Sequence, residues 1–144
     1  MKFLLDTCVI SELVNKEPNS AVVEWIRSRR PGDLFLSVLT VGELEKGMTK
    51  LGRSNRAVAL RQWLEVEIAG RFHDRIIPVS AEIARKWGEM CANAELRGKK
   101  RPAIDSLIAA TAIVNGLTVA TRNVDDMAGT GAKIFDPFSG GWYS

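Results

Sequence analysis

Hydrophobic and polar positions along this chain fall into alternating strand-like and helix-like blocks. Residues 2–6 read as a first strand, Lys2-Phe3-Leu4-Leu5-Asp6. A short helix is predicted near 7–15, closed by Pro18. Asn19 or Ser20 can cap a second helix that carries Val22, Val23, Trp25 and Ile26 and ends at Pro31-Gly32. Leu34-Phe35-Leu36 is a second strand. A third helix is predicted over 39–51 and a fourth over 55–70, the latter with Val58, Leu60, Trp63, Leu64 and Ile68 spaced for one face. Arg75-Ile76-Ile77-Pro78-Val79 is a third strand. Ser80 caps a fifth helix running to about residue 96, and Gly98 is placed to stop it. Pro102 suits the first turn of a sixth helix that reaches Gly116. Leu117-Thr118-Val119-Ala120-Thr121 is a fourth strand and Lys133-Ile134-Phe135 a short fifth.

Strands separated by helices require crossover connections. They predict an α/β fold: a mainly parallel, roughly five-stranded sheet with helices on both faces. In such sheets the ligand crevice lies beyond the carboxyl ends of the strands. Asp6, Ser37 and Thr121 all fall at such ends. Asp105 sits in the first turn of a helix that is apolar nearly all round, from Ala103 and Ile104 to Ile113 and Val114, so that helix is predicted to be buried.

Composition narrows the chemistry. The chain has 144 residues, one domain's worth, with 46% hydrophobic and 26% charged residues, as in a globular protein. No apolar run approaches the roughly 18 residues of a membrane span. The opening Met1-Lys2-Phe3-Leu4-Leu5-Asp6 meets an acid too early for a signal peptide, which predicts a cytoplasmic protein. Cys8 and Cys91 make no disulfide framework and read as small buried residues. The single histidine, His73, lies in a polar turn. Serine–histidine or cysteine–histidine catalysis would rest on it alone, and zinc would lack its usual ligands. A net charge of +3 mildly favours a polyanionic partner.

What remains is carboxylate chemistry. Asp6, Glu43 and Asp105 each stand where an apolar strand stops or an apolar helix starts, and Asp125 and Asp126 follow the fourth strand. Singly, each has a bland reading. Asp6 can cap the next helix. Thr40-x-x-Glu43 has the spacing of a capping box. Asp105 and Asp126 can favour a helix dipole. Together they would repel, by about 4 kcal/mol per pair at 4 Å in a site of effective dielectric near 20. A bound cation is the usual compensation. An all-oxygen set suits Mg²⁺ or Mn²⁺ and chemistry on phosphate.

Four stretches carry a resemblance. They are Leu4-Leu5-Asp6-Thr7-Cys8-Val9-Ile10-Ser11-Glu12, Leu36-Ser37-Val38-Leu39-Thr40-Val41-Gly42-Glu43-Leu44, Ala103-Ile104-Asp105-Ser106-Leu107-Ile108-Ala109-Ala110-Thr111-Ala112 and Val119-Ala120-Thr121-Arg122-Asn123-Val124-Asp125-Asp126. In order and spacing the chain resembles PIN-domain ribonucleases, specifically VapC toxins of toxin–antitoxin pairs, with FitB as a near relative. The resemblance implies a three-layer αβα PIN-like nuclease domain over 1–138 and a C-terminal tail over 139–144. It implies a Mg²⁺-dependent endoribonuclease that is the toxin of a type II system, with RNA as substrate, a VapB-like antitoxin as partner and a homodimer as assembly. It makes Asp6, Glu43 and Asp105 metal-binding acids. The fourth position is Asp126 or Asn123. Thr7, Ser11 and Thr121 become supporting hydroxyls, with Arg122 beside the site. Cys8 replaces a common asparagine and Met127 a common phenylalanine.

Other features fit around this reading. Arg97, Lys99, Lys100 and Arg101 precede the Asp105 helix and could steer RNA, as could Arg27, Arg29 and Arg30. Trp25, Trp63 and Trp87 fall in helical apolar patterns and read as packing residues. Trp142 lies in the tail. Two alternatives stand beside the nuclease. A haloacid-dehalogenase-type phosphotransferase also uses an Asp after its first strand, but needs a second Asp where this chain has Cys8. A non-catalytic RNA- or partner-binding module with the same fold would tolerate loss of Asp6 and Glu43.

Overall fold

The computed structural model describes residues 1–144. Six strands form one sheet: β1 Phe3–Leu5, β2 Leu34–Ser37, β3 Ile76–Ile77, β4 Thr118–Ala120, β5 Ile134–Asp136 and β6 Gly141–Tyr143. Their order across the sheet is β3-β2-β1-β4-β5-β6. All neighbours are parallel except β5 and β6. The strand order reverses beside β1, which pairs with both β2 and β4. That is where an open parallel sheet leaves a crevice at its carboxyl edge.

Alternation along the strands divides the core between the two faces. Phe3 and Leu5 pack on one side with Val9, Val22, Leu36 and Phe72. Leu4 packs on the other with Ile83, Ile108, Val119 and Ile134. The helices are α1 Thr7–Ile10, α2 Ser20–Ser28, α3 Val38–Lys50, α4 Asn55–Gln62, α5 Ala69–Arg71, α6 Ala81–Leu96, α7 Ala103–Asn115 and α8 Val124–Met127. This is the three-layer αβα arrangement expected. Helix α7 buries Ser106 and the whole run Ile108–Ala112, as its all-round apolar surface requires.

Local signals set most boundaries. Asn19, rather than Ser20, caps α2 by accepting from Val22 N–H, and Ser80 caps α6 by accepting from Ile83 N–H. Gly98, at φ +75°, ends α6, and the Lys99 N–H returns to the Ala94 carbonyl at 2.8 Å. Four features differ from the pattern-based expectation. The helix after β1 stops at Ile10 and tightens into a 3-10 turn over Ser11–Leu13. The predicted helix over 55–70 forms, but loosens to π geometry over Trp63–Ile68 between α4 and α5. Pro102 is the N-cap of α7 rather than a first-turn residue. A sixth strand appears where a tail was expected: β6 pairs antiparallel with β5, and Trp142 stacks on Phe135 at a centroid distance of 4.6 Å.

The tryptophans pack as anticipated. Trp25 meets Phe3 edge-on at 5.0 Å, Trp63 borders the core, and Trp87 donates its indole N–H to Ser106 Oγ at 3.0 Å. Cys8 and Cys91 are half-buried free thiols.

Candidate active site

The chain brings its acids to the carboxyl edge of the sheet in two steps. First, the β1–β4 register sets Leu5 beside Ala120, and the Asp6 N–H donates to the Ala120 carbonyl at 2.9 Å. Asp6 therefore leaves the sheet next to Thr121. Its carboxylate is buried, and both oxygens are held. Oδ1 accepts from Thr7 N–H at 2.8 Å, which caps α1. Oδ2 accepts from Thr121 Oγ1 at 2.7 Å. Thr121 Oγ1 in turn accepts from the Asn123 N–H at 2.9 Å, which fixes the start of the turn into α8.

Second, β2 runs into α3, whose N-cap is Ser37, accepting from Leu39 N–H at 3.1 Å. The helix thus begins before Thr40, and the capping box suggested by Thr40-x-x-Glu43 does not form. Thr40 Oγ1 is buried without a partner. Glu43 instead accepts from Thr7 Oγ1 at 2.6 Å through Oε1. Thr7 therefore connects Asp6 and Glu43, donating its amide to one and its hydroxyl to the other.

Asp105 lies in the first turn of α7 and Asp126 in α8. The Asp126 carboxylate lies near Asp105, whose carboxyl is pushed up to about 6. Partial burial is the largest cause, followed by the charges of Asp6, Asp126 and Glu43. Asp6, Asp126 and Glu43 therefore all stand close enough to act on Asp105. As they stand, no three of these four close tightly enough to hold a metal ion. The donor set is all oxygen, which fits a hard divalent cation.

Cys8 also belongs to this site, although the sequence reading gave it no role beyond a small buried residue replacing a common asparagine. Its Sγ lies 3.7 Å from Asp6 Oδ2 and 3.6 Å from Thr121 Oγ1. Burial, then the Asp6 charge, pushes the thiol up to about 11, so it is protonated and donates to the carboxylate. The one available signal was its position two residues after Asp6, where a polar residue is common.

The remaining expected site residues separate. Asn123 makes its contact through its backbone, while Asp126 is the residue beside Asp105. Ser11 makes no hydrogen bond to the acids, although it shares a groove with Glu43. That groove, of about 350 Å³, is also lined by Thr7, Met48, Arg56 and Trp63. Arg122 lies over the Phe138 ring at 4.4 Å and pairs with no acid. Arg97, Lys99 and Lys100 are exposed. Arg101, expected among them as a solvated RNA contact, is buried, with Nη1 donating to the Ala128 carbonyl at 3.3 Å. The loop before α7 tucks under the turn after α8, and it carries this side chain inward.

The family model of the PIN domain matches residues 3–131. The chain belongs to the PIN-domain family. Within it, the chain is 37% identical to the toxin FitB of Neisseria gonorrhoeae over 135 residues, covering 94% of this chain and 97% of FitB. It is 35% identical to the VapC ribonuclease Y4jK of Sinorhizobium fredii, covering 94% of this chain and 96% of that one. The PIN fold here superposes on a crystal structure of FitAcB from Neisseria gonorrhoeae with a TM-score of 0.89 at 37% identity, covering 94% of this chain and 98% of that chain. No helix is long and apolar enough to cross a membrane.

Proposed function

We propose that this PIN domain is a Mg²⁺-dependent endoribonuclease and the toxin of a type II toxin–antitoxin pair. The observation that carries the reading is the Thr7 and Thr121 scaffold. Two hydroxyls orient Asp6 and Glu43 toward the crevice that also holds the Asp105–Asp126 pair. Capping alone requires neither hydroxyl. Asp6, Glu43 and Asp105, with Asp126 beside them, would hold Mg²⁺, and Mn²⁺ fits the same donors. When bound, such an ion lowers the pKa of a water and stabilises charge developing on a phosphodiester.

The chain's own residues do the rest. Thr121 and Thr7 fix the carboxylate orientations, as hydrogen-bond donors behind the ligands do at metal sites generally. Asp105 holds its proton more firmly than an ordinary aspartate, and a cation bound beside it would compete with that proton. Glu43 is bonded through Oε1 alone, which leaves Oε2 for the ion or for a proton from the attacking water. The similarity to FitB, and to a structure of FitAB, supports a VapB-like antitoxin as partner. A homodimer and a cytoplasmic location belong to the same reading.

The test is direct. Asp6→Asn or Asp105→Asn abolishes Mg²⁺-dependent RNA cleavage while the far-ultraviolet circular dichroism stays native. Cleavage at the wild-type rate by either variant overturns the assignment. Co-expression with the genomic neighbour should restore growth and yield a co-purifying small protein.

A further inference from the structure

Arg101 poses an electrostatic problem that the acid crevice does not solve. A guanidinium stays charged at any working pH. Here it is only 8% exposed, forms no ion pair, and its Nε is buried without an acceptor. Its one hydrogen bond is the 3.3 Å contact from Nη1 to the Ala128 carbonyl. An isolated buried cation is costly, and an unsatisfied donor of this kind calls for a partner.

The surroundings specify an anion. Arg101 follows Lys100 and directly precedes the N-cap of α7, a helix of 13 residues whose cap, Pro102, contributes no side-chain hydrogen bond. The N–H groups of Ala103, Ile104 and Asp105 find no acceptor in the chain. Such first-turn amides point back out of the helix and favour negative charge. Lys100, Arg101 and Ala103 line one pocket of about 360 Å³, with Trp87 and Cys91 of α6 as its wall and Glu95 on its rim. Glu95 makes no ion pair with either cation, so both charges remain available.

We propose that Arg101, Lys100 and the first-turn amides of α7 form a phosphate subsite. Its place in the fold gives it a use. The helix that presents these amides also carries Asp105 in its first turn, so a phosphate held here lies at the same helix end as that acid. With RNA as the source, it is a backbone phosphate beside the one that is cut, and that identification rests on the nuclease reading above. The phosphate chemistry does not.

The experiment separates the two. Inorganic phosphate is titrated into the metal-free full-length protein while the Arg101 Nε–H and the Ala103, Ile104 and Asp105 amides are followed by ¹⁵N NMR. These four resonances shift together and saturate. In Arg101→Met the three amide resonances no longer respond, and in Arg101→Lys their response weakens. Arg101→Met also melts higher than wild type, because it removes an unpaired buried cation, whereas a purely structural strap to Ala128 would make it melt lower. With a short RNA, Arg101→Met raises KM by about ten-fold, the loss expected for one charge-assisted contact, and changes kcat little. Resonances unmoved by phosphate, or a lowered melting temperature with an unchanged KM, overturn the subsite. Saturable phosphate binding in a protein that cuts no RNA upholds the subsite and defeats the nuclease reading.

Discussion

Thr121 donates its hydroxyl to Asp6 Oδ2 at 2.7 Å across a separation of 115 residues. The bond is buried and joins the end of β4 to the end of β1. Thr121→Val keeps the shape and removes the donor, leaving this buried carboxylate oxygen only the long Cys8 thiol contact at 3.7 Å, at a cost of about 1–3 kcal/mol. Because the carboxylate also loses its orientation, Mg²⁺ affinity should fall by roughly ten-fold or more. Urea denaturation and isothermal titration with Mg²⁺ check the two effects separately. Thr121→Ser restores both.

Asp105 gives the metal-free protein a pH dependence whose sign is opposite to that of an ion-paired acid. Its folded-state value is pushed up to about 6, from 3.8 for an ordinary aspartate, by burial and then by Asp6, Asp126 and Glu43. Between those values the folded state holds a proton that the unfolded state has released, so stability falls as pH rises. Thermal melts without Mg²⁺ should therefore rise as pH drops from about 7 toward 4 through this group. Asp105→Asn, which carries no charge, should melt higher than wild type at neutral pH and converge with it in acid, and it should not cleave RNA. Mg²⁺ competes with the proton, so its apparent affinity should weaken below about pH 6.

Much of this was legible because apolar runs and acids abut. Phe3-Leu4-Leu5 before Asp6, and the all-apolar α7 beginning just before Asp105, place both residues without any knowledge of neighbours. What periodicity does not carry is which strands lie side by side. The Thr121–Asp6 bond exists because β4 pairs with β1, skipping the elements between them. Nor does spacing reveal where a helix begins. The Thr40–Glu43 interval matches a capping box, yet Ser37 starts α3 earlier and Thr7 takes Glu43. Arg101 sits in a charge run that reads as solvated, and only the packing of its loop beneath Ala128 buries it. Strand β6 is only three residues long and directly follows Gly140, so no periodicity marks it. Non-local aromatic contacts hold it instead.

Those contacts make Trp142 a stability residue away from the site. Its ring lies 4.6 Å from Phe135 and 6.2 Å from Phe3, although the residue is 56% exposed. Trp142→Ala should cost about 1–2 kcal/mol, the value of its aromatic pairing plus partial burial. Metal affinity should not change, since β5 and β6 contribute no carboxylate to the crevice. Urea denaturation alongside a Mg²⁺ titration distinguishes this outcome from a general loss of structure.

Cys8 should be inert despite its place against the acids. Its thiol is pushed up to about 11, so the reactive thiolate is scarce near neutral pH. Iodoacetamide at about pH 8 should label Cys8 far more slowly than a free model thiol of pKa near 8.5. Asp6→Asn removes the second-largest cause of that shift and should speed the labelling, as read by mass spectrometry of the Cys8 peptide.

The Thr7 hydroxyl tests whether Glu43 works in a fixed position. Thr7 Oγ1 reaches Glu43 Oε1 at 2.6 Å, while the Thr7 amide is already committed to Asp6. Thr7→Val therefore frees Glu43 and leaves the α1 cap intact. Glu43 projects from α3 on a long side chain, and freeing it should lower kcat by about ten-fold or more, the range seen when an outer-shell partner is removed. KM should stay near wild type if Glu43 serves the water rather than RNA binding. Thr7→Ser, which keeps the hydroxyl, should recover the rate. A Thr7→Val protein with wild-type kcat would mean that Glu43 finds its working position unaided, and the hydrogen bond would then be a feature of the free protein alone.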